Sequence, residues 1–203
     1  MHLHSFATSA AFRWISQGLF AVCSAVFAFG ATAQPVVSGH EAYAQNGARS
    51  QMAAQGVSMH LGYNSKYQRA MLAYETPTLW GHGFKDGWGE LGLSIELGAA
   101  YWEAKNSTEP DSMWQFSAVP ILRWWPAEHY YLEIGTGPSM ISRTDFAGRE
   151  LSTRLQFSSH LGIGMLLGES HRIGIRYTHV SNASIKKPNP GLDLLEASYT
   201  FHF

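Results

Sequence analysis

The sequence predicts an all-β chain that closes as an eight-stranded antiparallel transmembrane β-barrel of the outer-membrane type. Three observations carry this. From Gly56 onward apolar residues recur with a period of two, the signature of strands whose two faces meet different surroundings. The later connections alternate between long polar loops and tight turns, as in outer-membrane barrels. Charged residues make up only 14% of the chain, while seven Trp, nine Tyr and eleven Phe supply aromatic surface. Soluble domains carry about a quarter charged residues, so this composition favours a chain that meets lipid. A soluble lipocalin-like barrel is the rival β architecture, and it would hold its apolar face inside.

Residues 1–33 read as a secretory signal peptide. Arg13 is their one basic residue, and the apolar run Leu19–Phe29 leads to Ala31-Thr32-Ala33, an A-x-A cleavage site before Gln34. The run falls short of the roughly 20 residues that a helical span needs, and no later segment comes closer. The one cysteine, Cys23, leaves with the signal, so neither a disulfide nor a thiolate site is expected. The polar, Gln- and Ala-rich residues 34–55 form an N-terminal leader, and 56–203 form the barrel. Formal charge is −1 with the basic residues scattered, which points away from a nucleic-acid partner.

In the first strand Val57, Met59, Leu61 and Tyr63 alternate with Ser58, His60 and Gly62. A second strand passes through Leu72-Ala73-Tyr74, and a Gly-rich connection runs from Trp80 to Trp88. In the third, Leu91, Leu93, Ile95, Leu97, Ala99 and Tyr101 oppose Glu90, Gly92, Ser94, Glu96, Gly98 and Ala100. Polar residues 105–112 lead to strand four, Met113–Trp125, and Pro126-Ala127-Glu128 turns the chain into strand five, Tyr130–Met140. The loop 143–150 precedes strand six, where Leu155, Phe157, Leu161, Ile163 and Met165 alternate with Gln156, Ser158, His160, Gly162 and Gly164. Gly168-Glu169-Ser170 turns into strand seven, His171–Ser181, and strand eight is Leu192–Phe203. Trp102, Trp114, Trp124, Trp125, Tyr130 and Tyr131 stand near strand ends, where aromatic girdles are expected.

Catalytic residue types concentrate between strands seven and eight. From His179 to Asp193 the chain holds a His, two Ser, two Asn and an Asp, the types needed for a nucleophile, its base and a carboxylate that orients the base. Parity says where they point. Ile173, Ile175, Tyr177, His179 and Ser181 share the apolar face of strand seven, opposite Arg172, Gly174 and Arg176. Asp193, Leu195, Ala197, Tyr199 and Phe201 share that of strand eight, whereas Glu196 lies on the inner row. His179, Ser181 and Asp193 are therefore expected on the outer wall, near the outer rim. Polar groups on a lipid-facing wall are costly, about 2–4 kcal/mol for a Lys or Arg at the midplane and less near the interface. Their presence points to a substrate that is itself a membrane lipid.

The run Arg176-Tyr177-Thr178-His179-Val180-Ser181-Asn182-Ala183, followed by Lys186, Pro188-Asn189-Pro190-Gly191 and Asp193, resembles the PagL-type lipid A 3-O-deacylases. The resemblance implies an enzyme of the bacterial outer membrane that hydrolyses the ester-linked 3-hydroxyacyl chain at position 3 of lipid A, with its site toward the outer leaflet. It implies Ser181 as nucleophile, His179 as base and Asp193 as the acid. The family's acid is usually Glu, and Ser184 stands where relatives carry Gly. Asn182, Asn189 and nearby backbone N–H groups are candidate oxyanion donors or site supports. Lys186 and Lys187 could meet lipid phosphates or serve as solvated loop residues. No cofactor is expected, and the scattered His offer no metal motif. Expected partners are lipopolysaccharide as substrate and outer-membrane lipid, with self-association as a homodimer left open. The competing readings are a non-catalytic structural or adhesive barrel and, behind it, an acyltransferase.

Overall fold

A computed structural model of the protein describes residues 54–105 and 111–203. The expected signal peptide and all of the leader but Ala54 and Gln55 lie outside these residues. Eight long strands follow one another: β1 Gly56–Tyr63, β2 Tyr67–Glu75, β3 Glu90–Ala104, β4 Ser112–Trp125, β5 Tyr130–Ile141, β6 Leu155–Leu167, β7 His171–Ser181 and β8 Leu192–His202. Each pairs antiparallel with the next, and β8 pairs with β1 through Gly56↔His202 and Tyr63↔Leu195. The sheet is a closed eight-stranded barrel without an open edge between these strands. The Gly-rich connection contains more structure than its sequence indicates. A short strand, Trp80–Gly83, continues past β2 against the start of β3, with Trp80 opposite Leu93. The β5–β6 connection likewise contains a small hairpin, Asp145–Phe146 against Arg149–Glu150.

Burial alternates as the period of two requires. Leu61, Leu72, Phe116, Ile163, Ile175 and Leu195 are exposed on the outer wall, while Arg69, Arg123, Arg172, Arg176, Glu75, Glu96, Glu133 and Glu196 are buried inside. Six of these charges form one connected ion-pair system, joined where Arg176 meets Glu133 at 3.3 Å, while Arg69 pairs separately with Glu196. Arg123 meets Glu75 at 2.6 Å and Glu133 at 2.9 Å, Arg176 meets Glu96 at 3.0 Å, and Glu75 also accepts from Arg172. Buried charges persist only when paired in this way. An apolar outside around a charged inside is the reverse of a lipocalin-like barrel, and it places the strands in a membrane.

The girdle expectation needs a correction. Trp114 and Tyr130 are exposed on the wall, but Trp102, Trp125 and Tyr131 are buried inside. Adjacent residues of a strand face opposite sides, so Trp124-Trp125 and Tyr130-Tyr131 could not both point outward. Space for Tyr131 comes from the cross-strand pair Gly164 and Gly174, where an added Cβ would stand 2.2 and 2.4 Å from its hydroxyl.

At the rim away from Gly56 and His202, the lumen is closed by apolar packing. Tyr67, Trp102, Leu192 and Leu194 from the strands pack with Phe146 and Leu151 from the β5–β6 connection. That connection is therefore folded into the mouth, beneath the loop between β7 and β8.

Candidate active site

The pairing of β7 with β8 decides the site. His179 stands directly opposite Asp193, and directly opposed residues bring their Cβ atoms within about 4.5–5.5 Å. At that spacing an Asp is long enough. The His179 Nδ1 lies 2.7 Å from Asp193 Oδ1, which selects the tautomer protonated at Nδ1 and turns Nε2 away from the acid as the basic nitrogen. Ser181 follows two residues on along the same outer row, with its Cα about 6.5–7 Å from that of His179 by strand geometry. His179 is 18% and Asp193 31% exposed on the wall, whereas Ser181 is buried beside them at the strand end. Glu196, the other acid on β8, is fully buried in the lumen with Arg69 and Thr178. Parity placed both acids correctly.

Next to this pair the outer wall carries polar residues that sequence reasoning did not single out. Thr136, Ser159, His179 and Asp193 form one transverse row across β5, β6, β7 and β8, and the Thr136 and Ser159 hydroxyls are 2.7 Å apart. One step toward the membrane centre the row becomes apolar, with Leu161, Tyr177 and Leu195 side by side. Alternation could assign each residue a face, but only strand register aligns the four.

The connection 182–191 is held from below and from the side. Asn182 is fully buried, and its side-chain amide donates to the Leu151 carbonyl at 3.1 Å and to the Lys186 carbonyl at 2.8 Å. Its backbone N–H donates to Asn189 Oδ1 at 3.1 Å. Asn182 therefore acts as a loop clamp, because its amide hydrogens are committed to carbonyls and none faces the site. From the β5–β6 connection, Ser152 donates to the Pro188 carbonyl at 2.7 Å and Arg149 to the Gly191 carbonyl at 2.9 Å. Gly191 in turn forms a wall of the imidazole pocket. Its φ is +65°, and a Cβ there would stand 2.6 Å from His179 Cε1. Lys186 and Lys187 are exposed on this connection. Among the described residues, no group of three or more His, Cys, Asp or Glu could hold a metal ion.

The lipid A 3-O-deacylase (PagL) family model matches residues 68–202. This chain belongs to that family. A lipid A deacylase PagL of Bordetella bronchiseptica is 50% identical over 156 residues, covering 77% of this chain and 88% of that protein. One of Pseudomonas aeruginosa is 26% identical over 105 residues, covering 51% of this chain and 61% of that protein. The crystal structure of the outer membrane enzyme PagL superposes with a TM-score of 0.58 at 22% identity, covering 73% of this chain and 99% of that one. The fold is thus that of an outer-membrane barrel of the PagL type.

Ser184 lies in a left-handed turn at the start of the 182–191 connection. Asn182 to Ile185 form a turn closed by Ile185 N–H to the Asn182 carbonyl at 3.0 Å, with Ala183 at φ +52° and Ser184 at φ +65°. Two successive left-handed residues make a type I′ turn, which favours Gly. A side chain in the left-handed region costs about 1–2 kcal/mol. Ser184→Gly is accordingly expected to stabilise the barrel by roughly 1 kcal/mol, read as a higher urea midpoint for unfolding from lipid vesicles. An unchanged or lower midpoint would mean that the turn gains something from the Ser hydroxyl that offsets its backbone strain.

Proposed function

We propose that this protein removes the 3-hydroxyacyl chain at position 3 of lipid A by ester hydrolysis, with Ser181 as nucleophile, His179 as general base and Asp193 as the acid that orients the base. The observation that carries this reading is the 2.7 Å contact between His179 and Asp193 on the outer wall, two residues from Ser181. A His–Asp dyad on a membrane-facing surface has no structural task in a barrel whose own ion pairs lie inside. Family membership supplies the substrate class.

In the proposed sequence of steps, Nε2 of His179 takes the hydroxyl proton as Ser181 Oγ attacks the ester carbonyl. Asp193 stabilises the imidazolium, which then protonates the departing sugar oxygen. Water activated by the same His179 cleaves the acyl-enzyme and restores Ser181. Asn189 and backbone N–H groups of the 182–191 connection are the proposed donors to the oxyanion, each worth about 3–4 kcal/mol of barrier in comparable sites. The acyl chain would lie along Leu161, Tyr177 and Leu195, which remain in contact with membrane lipid. With the site at the rim opposite Gly56 and His202, the protein would act on the outer leaflet.

The test is mass spectrometry of lipid A from cells that express the protein. Wild type is expected to remove one 3-hydroxyacyl mass, with the matching free acid appearing in the medium or membrane. A fully inserted protein that leaves lipid A unchanged would sink the proposal in favour of a structural or adhesive barrel. Acyl transfer to a second lipid, with no free acid, would indicate an acyltransferase.

A further inference from the structure

Asp193 is held by more than His179. The Tyr177 hydroxyl donates to the same carboxylate oxygen, Oδ1, at 2.9 Å. Tyr177 sits on β7 opposite Leu195, so it meets Asp193 along the diagonal, a reach of about 7–8 Å between Cα atoms that aromatic side chains span. The backbone of Asp193 is fastened separately. β1 ends at Tyr63, opposite Leu195, so the sheet supplies no β1 partner to Asp193. The buried Tyr67 replaces it: its hydroxyl accepts from Asp193 N–H at 2.9 Å and donates to the Asp193 carbonyl at 3.1 Å. Asn64 adds a second donor to that carbonyl at 2.8 Å.

On a wall that faces lipid, little water is present to solvate a carboxylate, so protein donors set its direction. An Asp has only two side-chain torsions, and one rotamer brings Oδ1 to His179. We infer that Tyr177 is a positioning residue of the deacylase, its hydroxyl holding the Asp193 carboxylate in the rotamer that faces His179 while Tyr67 and Asn64 hold the backbone beneath it. The inference rests on the proposed roles of Ser181, His179 and Asp193. It also gives a physical reason why the shorter acid serves here: with the backbone pinned and one oxygen held by two donors, Asp193 needs no extra methylene to find the imidazole.

The experiment is a cycle of Tyr177→Phe and Asp193→Ala, each assayed as purified protein in detergent micelles with lipid A, the readout being released 3-hydroxy acid. Insertion is checked by the heat-dependent gel mobility of the folded barrel. Tyr177→Phe keeps the ring and its lipid contact and removes only the donor. It should lower kcat about tenfold, the scale of one hydrogen bond to a charged group, with KM unchanged. In the Asp193→Ala background it should change the residual rate by less than about twofold, since the group it positions is gone. A wild-type kcat for Tyr177→Phe, or the same loss in both backgrounds, would overturn the inference. A folded Asp193→Ala protein with wild-type activity would instead overturn the proposed triad itself, and so the two failures are distinguishable.

Discussion

Ser181→Ala is expected to lower the rate of lipid A deacylation about ten-thousandfold or more, with the barrel still folded. Serine hydrolases lose on this scale when the nucleophile is removed, and the residual rate comes from binding and oxyanion contacts alone. The double variant Ser181→Ala/His179→Ala should be no slower than either single variant, because the two act as one unit. Stability should hardly change, since Ser181 contributes a hydroxyl at a strand end and takes no part in the interior ion pairs. Glu196 supplies the contrasting case. Glu196→Gln touches a lumen network with Arg69 and Thr178, so it should affect stability and leave the catalytic rate within about threefold, there being no contact with the reacting groups. The assay is release of 3-hydroxy acid under saturating substrate. Retained activity in Ser181→Ala would remove Ser181 from the reaction, and loss of activity in a folded Glu196→Gln protein would move the acid from the outer wall to the lumen.

Gly191→Ala should reduce kcat about a hundredfold without altering any residue of the proposed triad. Two effects act together. The new Cβ would stand 2.6 Å from His179 Cε1, too close for any real contact, so the imidazole must move. The backbone at φ +65° also disfavours a side chain, by about 1–2 kcal/mol. Displacing a catalytic group by about 1 Å can cost a hundredfold, and here the displacement would pull Nδ1 off Asp193 as well. Gly191 cannot easily yield instead, because Arg149 fixes its carbonyl at 2.9 Å and Ser152 fixes that of Pro188 at 2.7 Å. A folded Gly191→Ala protein with near-wild-type kcat would show that the connection gives way in place of the ring.

Much of this architecture was legible in the residues. Strand seven and strand six run over the spans their alternation indicates. The inner and outer rows of β7 and β8 follow from counting by two, which separates Asp193 from Glu196. Counting by two also contains the correction to the girdle, since neighbouring aromatics must diverge. The motif between His179 and Asp193 carried the family, although the loop roles of its Asn residues did not follow from it. Asn182 reads as a turn residue or a donor with equal ease until Leu151, 31 positions away, arrives to occupy its amide.

What the sequence determined by itself was the face and the residue types: a barrel, an outer row, and a His, a Ser and an Asp on that row. These depend on a local period, and a local period survives in the order of residues. The tertiary structure alone decided the alignment and the fastening. Register across β5 to β8 set Thr136, Ser159, His179 and Asp193 in line, and the end of β1 left the Asp193 backbone to Tyr67 and Asn64. The folded β5–β6 connection brought Arg149 and Ser152 onto the loop beside the imidazole. Such contacts join residues separated by as many as 129 positions, and no periodicity within a strand encodes which distant side chain will meet which.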